Sequence, residues 1–161
     1  MFTREEQEEK FIHFVSCRED LNDAWGILKR IKRRKNNSLA YIAFKFALIA
    51  YSRPYKISFG TVKDKHKGLG EQYIPSEYIT LHNQILTGRD TFLAHSDLTI
   101  KEAQLHVSKH ALGKQTLISQ NVINAAMLYS KIDEILDLIE KSLMKMYKKE
   151  EILKADLSLN S

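Results

Sequence analysis

Cysteine is nearly missing from these 161 residues: Cys17 is the one thiol, which excludes an intrachain disulfide and a cysteine-built zinc site. Two prolines and six glycines leave little to punctuate a many-stranded sheet, so helices are favoured. No apolar run reaches the roughly 18 to 20 residues of a membrane span. The nearest, Ala40 to Ala50, is interrupted by Lys45. The glutamate-rich start has no signal-peptide apolar core, so the expected location is cytoplasmic, with no membrane partner. Gly68-Leu69-Gly70 is no phosphate loop, because it lacks the Lys-Ser/Thr ending and a preceding strand.

What is present is the material of one domain, residues 1–161. Hydrophobic residues at 43% and charged residues at 28% are ordinary for a globular chain long enough to bury a core. The formal charge of +5 is compatible with a polyanionic partner without requiring one.

Thr3 and Glu6 form a capping box, and Glu5, Glu6, Glu8 and Glu9 put negative charge where a helix N-terminus favours it. Phe11, Phe14, Leu21, Trp25 and Leu28 then recur in the rhythm of a helix packed lengthwise, ending near Arg34. Its last turns, Lys29 to Lys35, are either a phosphate-binding patch containing Arg33 and Arg34 or a cationic helix end. Ser38 caps a second helix, Leu39 to about Tyr51, apolar on most of its surface and expected to be the most buried; Pro54 ends it. Residues 54–75 show no sustained period and carry the basic run Lys63, Lys65, His66 and Lys67, which marks a long, functional loop or a disordered one.

A third helix, Glu77 to about Ala94 with Ser76 as its cap, holds Tyr78, Ile79, Ile85, Leu86, Phe92 and Leu93 at helical spacing. Arg89 falls near the middle of that stripe. A guanidinium cannot lose its charge, so this position implies a buried ion pair or a wet cleft. Residues 98–118 form an irregular or hairpin-like insertion: Thr99 with Glu102 suits a short helix, while Gln104 to Ser108 alternates like a strand that Gly113-Lys114 turns back. A last long helix runs from about Asn121 to Glu151, with Leu128, Ile132, Ile135, Ile139, Leu143 and Met146 on one seam and a fraying tail. The pattern is all-α, most economically a four-helix up-down bundle.

Arg89-Asp90-x4-His95 resembles the Arg-x(4 to 6)-His motif of HEPN domains, with Asp90 as the polar residue after the arginine. Ala94-His95-Ser96-Asp97 and Tyr51-Ser52-Arg53-Pro54-Tyr55 are similar to segments of that family's phage abortive-infection branch. The resemblance implies a four-helix fold and metal-independent RNA cleavage without a cofactor. His95 would move protons, Arg89 would hold the phosphate, and Asp90 would orient one of them. It also implies a partner such as a nucleotidyltransferase antitoxin. On a regular helix Arg89 and His95 lie roughly 120° apart, so a shared phosphate requires local unwinding or a homodimer with paired motifs.

Other readings compete with this one. Arg89 salt-bridged to Asp97 or Glu102 would be purely structural. His82 reads as a hydrogen-bonded core histidine. His106 and His110 have helical metal-pair spacing but no third ligand, so no metal site is expected. Lys63, Lys65, Lys67, Arg33 and Arg34 are the candidate nucleic-acid contacts, and the alternative function is a non-catalytic helical RNA- or protein-binding module.

Overall fold

A computed structural model describes residues 3–34, 38–93, 104–110, 113–119 and 125–159. Helix α1 (Arg4–Arg33) begins as its capping box dictates. The Glu6 N–H donates to Thr3 Oγ1 at 3.2 Å and the Thr3 N–H to Glu6 Oε2 at 2.8 Å. Its buried face is Phe14, Cys17, Leu21, Ala24, Leu28 and Ile31, in strict alternation of three and four residues. Trp25, expected in that seam, is exposed instead and donates its indole N–H to Glu140 at 2.8 Å. Ala24 takes the inward position, one step of the helix away. A Cβ added at Gly26 meets nothing within 4 Å. Gly26→Ala is therefore expected to raise unfolding stability by about 0.5–1 kcal/mol in a urea titration, since alanine orders at lower entropic cost.

Helix α2 (Ala40–Ser52) packs against α1, and Phe44, Ala47, Leu48 and Tyr51 are among its buried residues. As expected it is, residue for residue, the most buried helix among the described residues, although Leu39 at its N-cap, Ile42 and Phe46 are more than half exposed. Its apolar residues outnumber its covered faces, because α1 and α3 cover only part of its circumference. Ser38 does not cap it; Leu39 holds the N-cap position without a side-chain bond. A 3-10 turn, Arg53–Tyr55, follows at Pro54.

Residues 54–75 are more ordered than their missing period suggested. Strands β1 (Ser58–Phe59) and β2 (Lys65–His66) pair antiparallel, and a 3-10 turn spans Glu71–Tyr73. Lys145 Nζ holds the end of this segment through the carbonyls of Gln72 (3.4 Å) and Ile74 (3.1 Å). Ser76 opens another 3-10 turn, Ser76–Tyr78, without capping it. Helix α3 (Ile79–Leu93) follows and packs on α2. Buried His82 Nδ1 lies 2.8 Å from the Tyr51 hydroxyl, as expected of a core histidine, and burial lowers its pKa.

Strands β3 (Gln104–His110) and β4 (Gly113–Ser119) form an antiparallel hairpin in which His110 faces Gly113 and Gln104 faces Ser119. Gly113 has φ +137°, which favours glycine at the turn. The strand reading of Gln104 to Ser108 holds, while Thr99 and Glu102 lie outside the described residues. Helix α4 (Ala125–Tyr129) and helix α5 (Ile132–Leu159) replace one continuous helix. At the break the Ser130 hydroxyl donates to the Met127 carbonyl at 2.7 Å, and the Lys131 N–H closes a three-residue turn on Leu128. The expected seam survives: Leu128, Ile135, Ile139, Leu143 and Met146 are buried, and α5 packs along α1. Helix α5 continues to Leu159, so most of the tail expected to fray is helical. The described residues are mostly helical, with two small two-stranded sheets. None of their helices is long and apolar enough to cross a membrane.

Candidate functional site

On α3 the buried stripe is Leu81, His82, Ile85 and Gly88. Arg89 falls within the same arc of the helix, between Ile85 and His82, with 27% of its side chain exposed. It lies on the apolar stripe, as expected, but off its centre, which runs through Leu81, Ile85 and Gly88. Arg89 Nη1 donates to Asp90 Oδ1 at 2.6 Å, and Lys56 Nζ donates to Asp90 Oδ2 at 3.0 Å. Burial pushes the Asp90 pKa up, but the hydrogen bonds and charges of Arg89 and Lys56 outweigh it and lower the net value. The carboxylate is held ionised between two cations. His95, Asp97 and Glu102 lie outside the described residues, so Asp90 is the partner of Arg89 among those described.

A second constellation forms where α1, β1–β2 and the end of α5 meet. Glu9, two turns into α1, turns its carboxylate under the β1–β2 connection. It accepts the N–H groups of Thr61 (2.7 Å), Val62 (2.6 Å) and Lys63 (2.9 Å), and the Thr61 hydroxyl at 2.8 Å. His66 Nε2 lies 2.8 Å from the same group. Successive backbone N–H groups of this kind form an anion nest, here filled from within the chain. A Cβ on Gly60 would overlap Glu9 Oε1, the Lys63 carbonyl and His66 Nε2, so only glycine permits the approach.

These bonds, led by those from Val62 and Lys63, lower the Glu9 pKa far below its ordinary value of about 4.3. The sign follows: the clamp stabilises fully above that ordinary value and weakens as acid protonates Glu9 below it. Glu9→Gln should speed amide exchange of Thr61, Val62 and Lys63 by about tenfold or more at neutral pH, because bonds to a charged acceptor are the stronger kind. Hydrogen-exchange mass spectrometry checks this, and unchanged exchange would show that other contacts hold the connection.

The His66 ring stacks on His13 with centroids 4.6 Å apart. Burial lowers the His13 pKa, the neighbouring His66 lowers it further, and Glu9 partly offsets both. His13 Nε2 is 3.7 Å from Cys17 Sγ, but burial and Asp20 push the thiol pKa to about 11. Cys17 stays a thiol at neutral pH and is no activated nucleophile. The stacked rings wall a cavity of about 590 Å³ that Lys63, Lys65, Lys67 and Lys149 also line. Neither Glu9 nor His13 stood out in the sequence: one is among several glutamates of an acidic first turn, the other a lone histidine on a helix.

Arg33 and Arg34 are brought to a different place. With Arg30 they line a cavity of about 590 Å³ at the corner between α1 and α2. The Arg34 N–H closes α1 on the carbonyls of Arg30 and Ile31. At 1.5 Å per residue, about 35 Å of helix separates Arg33 from Lys10 at the other cavity. The fold therefore does not gather the five candidate nucleic-acid contacts into one patch. His106 and His110 lie on β3, where four residues span about 13 Å, too far to share an ion. No cluster of three or more metal-ligating side chains occurs among the described residues. In comparisons with known proteins, no family model, no curated protein and no solved structure matches this chain.

Proposed function

We propose that this chain is an RNA-acting protein of the HEPN kind, built on a four-helix bundle of α1, α2, α3 and α5. Its activity would be metal-independent endoribonucleolytic cleavage of the toxin or phage-defence type. The observation that carries the reading is the Asp90 carboxylate shared by Arg89 and Lys56. One negative charge between two cations leaves net positive charge at this partly exposed site on α3. Asp90 also fixes one guanidinium nitrogen, while the others have no partner among the described residues. A guanidinium held in this way is preorganised to take up charge on a phosphoryl group.

In this mechanism a ribose 2′-hydroxyl attacks the adjacent phosphate, and the P–O5′ bond breaks as the P–O2′ bond forms, leaving a 2′,3′-cyclic phosphate on one fragment and a 5′-hydroxyl on the other. His95 gives or takes the proton, Arg89 stabilises the charge that builds on the non-bridging oxygens, and Asp90 positions Arg89. Two motifs facing one groove across a homodimer axis would bring Arg89 and His95 together, and an antitoxin such as a nucleotidyltransferase would restrain them. The test is product analysis: RNA incubated with the protein and excess EDTA should carry 2′,3′-cyclic phosphate ends. Intact RNA, or ends that form only with added metal, would refute the nuclease. Binding without cleavage would leave the non-catalytic RNA-binding module.

A further inference from the structure

We infer that the β1–β2 ribbon and the cavity beneath it are a docking surface for single-stranded RNA, separate from the Arg89 site and resting on the reading that RNA is the ligand. The first ground is charge. Elsewhere on the helices several lysines are matched: Lys29 with Glu140, Lys32 with Asp133, Lys141 with Asp137 and Glu77, Lys154 with Glu150. Around the cavity, Lys63, Lys65, Lys67 and Lys149 have no carboxylate partner among the described residues. Glu6 is the one acidic residue lining it, and its single charge, on a carboxylate that accepts the Thr3 N–H, is outnumbered by the four lysines. Net positive charge thus collects at this hollow, as it does at the arginine-lined corner of α1 and α2, and a phosphodiester backbone is the complement to it.

The second ground is the ribbon's register. Ser58 pairs with His66 and Phe59 with Lys65. Directly paired residues project from the same face, on the order of 5 Å apart. The His66 face turns inward onto Glu9 and His13, so the Phe59–Lys65 face turns outward, with Phe59 74% exposed. An exposed aromatic ring beside a lysine suits a strand with unpaired bases: the ring stacks on a base while the ammonium meets the next phosphate. A cavity of about 590 Å³ admits a nucleotide but not a duplex. The third ground is rigidity. The Glu9 clamp fixes the connection that carries Lys63 before any ligand arrives, which reduces the ordering cost of binding.

The test uses the full chain and a fluorescent RNA strand with 2′-O-methyl groups, which cannot be cleaved through its own 2′-oxygen. Anisotropy titrations compare this strand, its duplex and vesicles containing phosphatidylserine. The wild type should prefer the single strand. Combined Lys63→Glu, Lys65→Glu and Lys67→Glu should weaken binding about 100-fold and flatten the log-log salt slope by about 2, at roughly 0.7 per lost phosphate contact. Phe59→Ala, at an exposed position that folding does not need, should weaken binding about tenfold with the slope unchanged. Equal affinity for the duplex, preference for vesicles, or wild-type binding by the lysine variant would overturn the inference. Arg89→Ala separates the two proposals. A protein that binds through the lysines but never cuts RNA retains this docking surface and loses the nuclease; one that cuts normally with all three lysines reversed does the opposite.

Discussion

Alanine at Arg89 should lower the single-turnover rate of RNA cleavage by about 100-fold or more, the usual size of losing a donor that stabilises transition-state charge. Unfolding stability should change little. Arg89 is partly exposed, and its removal leaves Asp90 still bonded to Lys56, so about 1 kcal/mol or less is at stake. The large loss in rate beside a small loss in stability is the signature to look for. His95→Ala should give a rate loss of about the same size by removing the proton-transfer group. Lys at Arg89 keeps the charge but loses the fork, and should recover only part of the rate. Asp90→Asn keeps the size of the side chain and weakens both of its charged bonds, so it should fall between wild type and Arg89→Ala. Cleavage by Arg89→Ala or His95→Ala at the wild-type rate, by gel assay under single-turnover conditions, would remove the proposed chemistry.

The second large effect is on stability and concerns helix α2. Phe44 is fully buried and meets the Tyr129 ring edge-on with centroids 5.0 Å apart, so it ties α2 to α4. Phe44→Ala should cost about 3–5 kcal/mol, combining lost burial with the cavity left behind. For a chain of this size that is a fall in melting temperature of roughly 10 °C. Phe46, two residues on, is 53% exposed and lies under the Arg53 guanidinium at 5.8 Å. Phe46→Ala should cost about 1 kcal/mol or less. A urea titration of both variants decides whether α2 has one covered face and one open one. Equal losses would mean that its second face is covered as well.

These two expectations differ in how they could be reached. Arg89 stood out in the sequence because a cation placed among apolar helical positions is a local anomaly. Asp90, named by the resemblance, was one of the candidate partners of the arginine beside Asp97 and Glu102, and it is what the described residues place on it; the bridge from Asp90 to Lys56, 34 positions upstream, was not legible. Exposure of Leu39, Ile42 and Phe46 was also out of reach, because an apolar residue on a helix reads the same whether or not another helix covers it. The helix break at Ser130 was missed for a related reason: the seam of Leu128 and Ile135 passes through it unbroken.

The sequence by itself determined the helical class, the capped start of α1 and its end near Arg33, and the stop at Pro54, while it left Gln104 to Ser108 open between a short helix and a strand. What it determined rests on interactions a few residues apart, in which spacing and residue type are the whole cause. Tertiary structure alone decided which of several glutamates mattered. Glu9 is indistinguishable from Glu5 or Glu8 along the chain, yet it sits under the N–H groups of residues more than 50 positions away and sets the lysines of that connection around one hollow. A carboxylate gains that role only when packing brings unsatisfied donors to it, and such a meeting of distant segments leaves no local pattern to read.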